Sequence, residues 1–383
     1  MNIMFQTGCW HYEKGGTDLF VKTISYWLAK KGHKVVVLAH RLKEEDCSDE
    51  DICVGQGTIK VRYTPKQRKG IRFNPSLYLY RLLITSYYLC GLAKTEKIDV
   101  IVTGEPELAT IITLKFLGVK IVCRGGALMY ETMRKEVLKE RGEDAYSLFF
   151  IGLIKLYNNL TLKLPDALVP VNDSEYEFLK IHKRKKALIT TIPHGIDVNL
   201  FKLAATHKKR KKTIVGYVGR LTPIKYPEVV LEIFKEASSK ATNTEFWWIG
   251  HLDPFFKESY FDDLKNKIGI TNVRYFGQIA NKLLPRYLNK LDIFLQAEQQ
   301  KNVSRSTTEA AACGVPIVAL NIGKEPYGFF TEDKNEATTE LQKLITNKPY
   351  RIKQGQKARK IITEHYAEDK IYSKYLNLFE SLK

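Results

Sequence analysis

The chain has 383 residues, 44% of them hydrophobic, and a formal net charge of +19. That length and apolar fraction suit two globular domains with full cores and exclude a disordered tail. The charge calls for an anionic partner (nucleic acid, an acidic membrane surface or a phosphorylated small molecule) unless it is only a solvated basic surface.

In chain order, "MNIMFQTGCWH" has no basic region followed by a long apolar run, so no signal peptide is expected. "NIMFQT" reads as a short buried strand, "GCWHYEKGGTD" as a glycine-bearing loop, "LFVKTISYWLAKKG" as a helix stopped by Gly32, and "KVVVLA" as a buried parallel strand. The right-handed crossover rule places both strands of this βαβ unit in one sheet. "EEDCSDED" (44–51) reads as a solvated acidic loop rather than a metal site, and no metal site is expected. Apolar stretches at 77–93 and 147–157 are interrupted by Arg81 and Lys155 and fall short of the roughly 20 residues that span a bilayer. A soluble cytoplasmic protein is therefore expected. Six scattered cysteines form no Cys-x-x-Cys pair and favour neither zinc nor disulfides, so reduced thiols are expected.

The alternation continues with strands at 98–104, 119–125, 166–172 and 189–195 and helices over 107–117 and from Ser174. "AATHKKRKKT" (204–213), with five consecutive cations, reads as a surface linker. The pattern then restarts: strands at 213–219, 245–250, 273–279, 292–297 and 316–322, helices over 227–240, 259–267, 281–290 and around Glu309, and closing helices at 337–345 and 352–382. The fold expected is α/β: two tandem doubly wound domains, 1–203 and 204–365, with a C-terminal helix at 366–383 crossing back to the first. Open α/β sheets bind ligands at the carboxyl ends of their strands, so two sheets facing across a cleft imply a site between them.

Two loops suit anions. "VGYVGRLTPIKYPE" (215–228) ends a strand at Gly219, carries Arg220 and Lys225, and opens a helix with Pro227 at its favoured first turn. Fixed cations beside free helix amides suit a diphosphate, although an ordinary loop with two solvated cations has the same spacing. "YEKGGTDLF" (12–20) sets Gly15 and Gly16 before a helix, where the backbone can approach a ligand or merely turn.

These segments, together with "LAKKGHKVVVLA", "IPHGIDVNLF" (192–201), "VRYFGQI" and "TEAAACGVPIVA" (308–319), resemble in order and spacing the family 4 retaining glycosyltransferases of the two-domain GT-B fold. The likeness covers almost the whole chain. It implies that Arg220 and Lys225 hold a nucleotide diphosphate and that Glu309 hydrogen-bonds the ribose hydroxyls. It further implies that Gly15 and Gly16 line the cleft near the donor phosphates or the acceptor, that Gly250 and Gly277 leave room for base and ribose, and that Gly219 belongs to the substrate site. The donor implied is a nucleotide-diphosphate sugar, with no cofactor.

Three departures stand out. Eight residues before Glu309 the family usually has a second glutamate, where this chain has Lys301, although the following Ser304 and Arg305 align. Either Glu298 supplies the carboxylate, or Lys301 adds a cation to the leaving diphosphate, or the residue is solvated and the sugar or activity differs. Arg124 stands where the family often has a histidine near the reacting sugar. After "IVALNIG" the glycine-glycine loop is missing before "YGFF" (327–330).

The function expected is retaining, metal-independent transfer of a hexose to a glycan or lipid-linked acceptor. Its rivals are a nucleotide-sugar hydrolase or epimerase and a non-catalytic nucleotide-sugar binder. "TPKQRKGIRFNPSLYLYRLLITSYY" (64–88) interleaves Lys66, Arg68, Lys69, Arg72 and Arg81 with Phe73, Tyr78, Tyr80 and Leu82, which suits an anionic membrane surface or a helix packed on the sheet. No RNA- or DNA-binding module is visible, so nucleic acid is not an expected partner.

Overall fold

Val35, Val36, Val37 and Leu38 are buried in succession, as are Ile317, Val318, Ala319 and Leu320. Such runs belong to parallel strands with both faces covered by helices. The computed structural model describes residues 1–11, 16–41, 47–65, 75–104, 108–124, 152, 155–156, 161–182, 186–204, 212–239, 241, 243–253, 256–298 and 304–383. The chain divides into two units, Met1–Pro193 with Tyr372–Lys383, and His194–Ile371.

The sheet of the first unit comprises β1 (Asn2–Thr7), β2 (Lys34–Ala39), β3 (Glu50–Val54), β4 (Gly57–Tyr63), β5 (Val100–Thr103), β6 (Lys120–Arg124), β7 (Ala167–Val169) and β8 (Leu188–Ile189). Its order is β3-β4-β2-β1-β5-β6-β7-β8, parallel except for β3 against β4. The helices described are α1 (Gly16–Lys30), α2 (Pro75–Thr95), α3 (Leu108–Phe116) and α4 (Asp173–His182). α1 buries Phe20, Val21, Ile24 and Leu28 at helical spacing, and Gly32 follows it at φ 84°. The chain's last residues complete this core: the Tyr372 hydroxyl meets Thr23 Oγ1 at 2.5 Å, and the Tyr375 ring lies 5.3 Å from that of Phe20.

The sheet of the second unit comprises β9 (Thr213–Val218), β10 (Thr244–Ile249), β11 (Val273–Tyr275), β12 (Ile293–Ala297), β13 (Ile317–Leu320) and β14 (Phe329–Thr331). All pairs are parallel, in the order β11-β10-β9-β12-β13-β14. Its helices are α5 (Pro227–Ser238), α6 (Tyr260–Ile268), α7 (Leu284–Leu288), α8 (Arg305–Ala312), α9 (Lys334–Thr346), α10 (Lys348–His365) and α11 (Glu368–Ser381), which runs on into the first unit. In each unit the winding reverses beside the first strand, between β1 and β5 and between β9 and β12. That switch point is where open sheets of this kind bind ligands.

Several elements differ from the reading of the sequence. Glu50 and Asp51 begin edge strand β3 rather than end an acidic loop, and β4 and β14 are additional strands. The expected strand 273–279 stops at Tyr275, ahead of Gly277 at φ 63°. The helix over 281–290 is a 3₁₀ turn, Asn281–Leu283, followed by α7, whose Pro285 cannot extend a hydrogen-bonded helix back through itself. The single closing helix 352–382 is two, because Ile196 enters at the break: its amide donates to Tyr366 O at 2.9 Å and its carbonyl accepts from Glu368 N at 3.1 Å. The second unit thus begins at His194, ahead of the basic run at 204–213. Ile196 and Phe201 are buried with Ile362 and Tyr366, and Arg359 donates to Val198 O, Phe201 O and Ala312 O at 2.6–2.9 Å. Among the described residues, no helix is long and apolar enough to cross a membrane.

Phe201 is 1% exposed, so Phe201→Ala is expected to lower stability by about 3–5 kcal/mol, read as an earlier urea midpoint. An unchanged midpoint would mean that 194–203 does not pack into the core of the second unit.

Candidate functional site

β9 ends in buried Val218 and passes into Gly219, Arg220, Leu221 and Thr222 before the 3₁₀ turn Pro223–Lys225. Tyr226 then takes a left-handed conformation (φ 46°), and Pro227 opens α5. This turn sets two cations at the second switch point. Arg220 is more than half exposed, its guanidinium 3.7 Å from Asp253 Oδ2. Lys225 instead points inward, and its ammonium meets Glu298 Oε1.

Glu298 follows β12 and is 2% exposed. Burial pushes its carboxyl above the ordinary range, against the opposing pull of Lys225 and of the Gln296 amide, which donates at 2.7 Å. Gln296 Oε1 in turn accepts from Ser304 Oγ at 3.0 Å and from Thr307 Oγ1. Ser306 Oγ donates to Val218 O at 2.7 Å. One connected network therefore joins the turn after β9, the end of β12 and the first turn of α8. Ser304, the N-cap of α8, makes no side-chain bond to the helix amides, and its carbonyl accepts from Thr307 N at 3.2 Å. His251, near Arg220, is held below its usual range by burial, then by Arg220, with Asp253 opposing.

Glu309 sits one turn into α8 and is 3% exposed. Its Oε1 accepts from Arg305 Nε at 3.0 Å, and Arg305 NH2 lies 3.6 Å from Glu368. The small-residue helix faces another helix: Gly314 O comes so close to Gly355 of α10 that a Cβ there would strike it. Gly250 has the same cause. It holds φ 149°, and a Cβ would collide with Gly219 O, while a Cβ on Gly219 would meet the Tyr217 ring at 2.7 Å. Packing explains those two glycines. Gly277, at φ 63° with nothing within 4 Å of a built Cβ, is the one of the three that faces open space.

In the first unit Gly16 begins α1, and Asp18 Oδ1 accepts from Thr7 Oγ1 at 2.6 Å and from the amides of Gly8 and Cys9, each at 3.1 Å. Arg124 ends β6, buried, with its guanidinium 3.7 Å above the Phe20 ring and Nε donating to Tyr375 OH at 2.7 Å. Gly15 and Lys301 lie outside the described residues, as do Lys66, Arg68, Lys69, Arg72 and Phe73 of the basic stretch. In the acidic stretch, Asp51 meets Arg62 at 2.7 Å, Glu50 meets His11 at 3.2 Å and Asp49 accepts from Tyr63 N at 3.0 Å. Nothing in the sequence pointed to the Gln296–Ser304–Thr307 relay, because its polar groups meet only across β12 and α8.

Lys225→Met leaves Glu298 buried without its cation. A carboxyl whose folded pKa is raised imposes a penalty above that pKa, which is relieved as pH falls through it. The variant is therefore expected to lose about 3 kcal/mol at about pH 8 and markedly less at about pH 5. Thermal unfolding at both pH values checks this, and an equal loss at both would contradict it.

Family models match the chain over residues 14–200, Glycosyltransferase Family 4, and over 201–361, Glycosyl transferases group 1. The 2-deoxystreptamine N-acetyl-D-glucosaminyltransferase of Niallia circulans is 26% identical over 200 residues, 50% of each chain. A phosphatidylinositol N-acetylglucosaminyltransferase subunit of Arabidopsis thaliana is 22% identical over 317 residues, 82% of this chain and 65% of that one. The chain thus spans about half to two thirds of the length of these two relatives. Among solved structures, sucrose-phosphate synthase from Thermosynechococcus elongatus superposes with a TM-score of 0.77 at 16% identity, covering 100% of this chain and 98% of that one. With both models in sequence order and the GT-B architecture in its structural neighbours, the chain belongs to the family 4 glycosyltransferases.

Proposed function

We propose that this protein transfers a hexose from a nucleotide-diphosphate sugar to a glycan or lipid-linked acceptor, with retention of configuration and without a metal ion. The observation that carries the reading is the gathering of Arg220, Lys225 and the start of α8 at one switch point of the second sheet. When the sugar C1–O bond breaks, negative charge grows on the diphosphate. Two cations and a helix N-terminus are the groups that stabilise it, in the role a divalent metal takes elsewhere. Glu309, behind the first turn of α8, is the candidate for the ribose hydroxyls, with Arg305 fixing its carboxylate. Gly277 borders the space left for the base. Retention follows if the acceptor attacks from the face the phosphate leaves.

The two switch points carry different groups. In the first unit Asp18 already takes the amides of Gly8 and Cys9, which disfavours an anion there. That crevice suits the acceptor instead, with Gly15, Gly16 and Arg124 as the candidate contacts. The relatives' names point to acceptors of different kinds, a cyclitol in one and a phosphoinositide in the other. A membrane-proximal acceptor is supported by helices α2 and α3, joined by Ser86 and Thr110 at 2.5 Å, which leave Tyr87 77% and Phe116 88% exposed on a strongly basic chain.

A thermal-shift screen against UDP-, GDP- and ADP-sugars, followed by mass spectrometry of products on lipid extracts, tests the activity. Arg220→Ala and Lys225→Ala are each expected to lower kcat/KM roughly a hundredfold. Unchanged turnover in both would overturn the diphosphate assignment. In vesicle flotation, the wild type is expected to bind anionic but not neutral membranes and to be released by salt. Recovery of all the protein in the bottom fraction would rule out the membrane reading.

A further inference from the structure

In the unliganded chain Lys225 is held on Glu298, and a phosphate would compete for its charge. Its ammonium meets Glu298 Oε1, and the carboxyl beyond it is 98% out of solvent. The remaining contacts on Glu298 are weak substitutes for a cation. Gln296 Nε2 donates a neutral hydrogen bond to the same oxygen, and the Glu298 amide is engaged with Leu320 O at 3.3 Å. Tyr217, fully buried on β9 beside it, has a hydroxyl with no hydrogen-bond partner. Burial, and then the Glu298 charge, hold that phenol protonated. Among the described residues, Lys225, from the turn after β9, is the titratable group that acts on Glu298, and Glu298 in turn acts on Tyr217 of β9. The hydroxyls of Ser304 and Thr307, from α8, face Gln296 rather than the carboxylate.

We propose that Glu298 is a built-in counter-ion for Lys225 that gives it up to the donor diphosphate and takes a proton from solvent in exchange. The proposal rests on the reading of the Arg220–Lys225 turn as the phosphate site. In the unliganded protein the ammonium is held inward by the carboxylate. A diphosphate arriving at the start of α8 offers two charges to that ammonium. Once Lys225 turns to them, an ionised Glu298 would be left buried with one neutral donor. A charge in that position costs several kcal/mol, which neutralisation removes. The step is a single protonation, from carboxylate to carboxylic acid. No other bond changes. Glu298 is thus a positioning residue, and its charge sets the pH range over which donor binds tightly.

Nucleotide sugars suit the test because their diphosphate is a diester with no ionisation between about pH 6 and about pH 8. Isothermal titration calorimetry with UDP-glucose, GDP-mannose and ADP-glucose, run in two buffers of different ionisation enthalpy, counts the protons taken up. For the wild type we expect net uptake of up to one proton per donor bound. Affinity should rise as pH falls, by at most about tenfold per pH unit, the limit for one linked proton. Glu298→Gln should bind more tightly than wild type at about pH 8, show no uptake and have a flat profile. Donor binding to the wild type without proton uptake overturns the exchange and leaves the phosphate site standing, and this needs no variant to fold. Uptake that persists unchanged in Glu298→Gln also overturns it. If none of the three sugars binds either protein at either pH, the phosphate site itself fails.

Discussion

A carboxylate that is 2% exposed must be compensated where it stands, and in this chain Lys225 compensates Glu298. Leaving such a charge unpaired costs about 3–5 kcal/mol, a large part of a domain's net stability. The cost falls on geometry. It fixes the turn after β9 to the end of β12, and Gln296 carries the constraint on to Ser304 and Thr307 at the start of α8. Ser306 closes the loop back to β9 through Val218 O. The turn after β9, the end of β12 and the start of α8 are thereby held to one another before any ligand arrives, with Lys225 in its inward position on Glu298.

Two close backbone approaches support the same region. Gly250 lets β10 bring its end against Gly219 O, which also accepts from Trp248 Nε1 at 3.2 Å. Gly355 lets α10 lie against the end of α8 at Gly314, and Arg359 holds Ala312 O from the same helix. These contacts explain the alanine-rich composition of α8: a helix packed this closely has no space for long side chains on its inner face. The positions that look most like ligand contacts in the sequence are therefore partly framework. Gly277 keeps an open surrounding, whereas Gly219 and Gly250 are accounted for by their neighbours.

The two sheets share a winding but differ in what waits at their switch points. At β1 a carboxylate, Asp18, gathers the hydroxyl of Thr7 and the amides of Gly8 and Cys9. At β9 two cations stand beside the start of α8, each with a carboxylate partner, Arg220 with Asp253 and Lys225 with Glu298. In the proposed reading the second takes the donor's diphosphate and the first the acceptor. Arg124 shows how a cation in the first unit is handled differently, laid on Phe20 and bonded to Tyr375 from the end of the chain.

The α/β class, the buried parallel strands and the turn carrying Arg220 and Lys225 were legible in the sequence, since apolar runs, helical spacing and Gly/Pro punctuation act over a few neighbouring residues. The edge pair β3 and β4 was harder to read. The alternating burial of β4 was present in "GTIKVRY", but an acidic run before it masked a strand whose exposed face is free to be charged. The break at Tyr366–Ala367 could not be read from α10 and α11 alone, because its cause is Ile196, some 170 residues away in the chain. For the same reason, only the tertiary structure could decide that Lys225 meets Glu298, that Glu309 meets Arg305 and that Gly250 meets Gly219. Sequence determines which charges and spaces exist, but burial and pairing belong to atoms that the fold brings together, and those decide which charge is satisfied within the protein and which is left for a ligand.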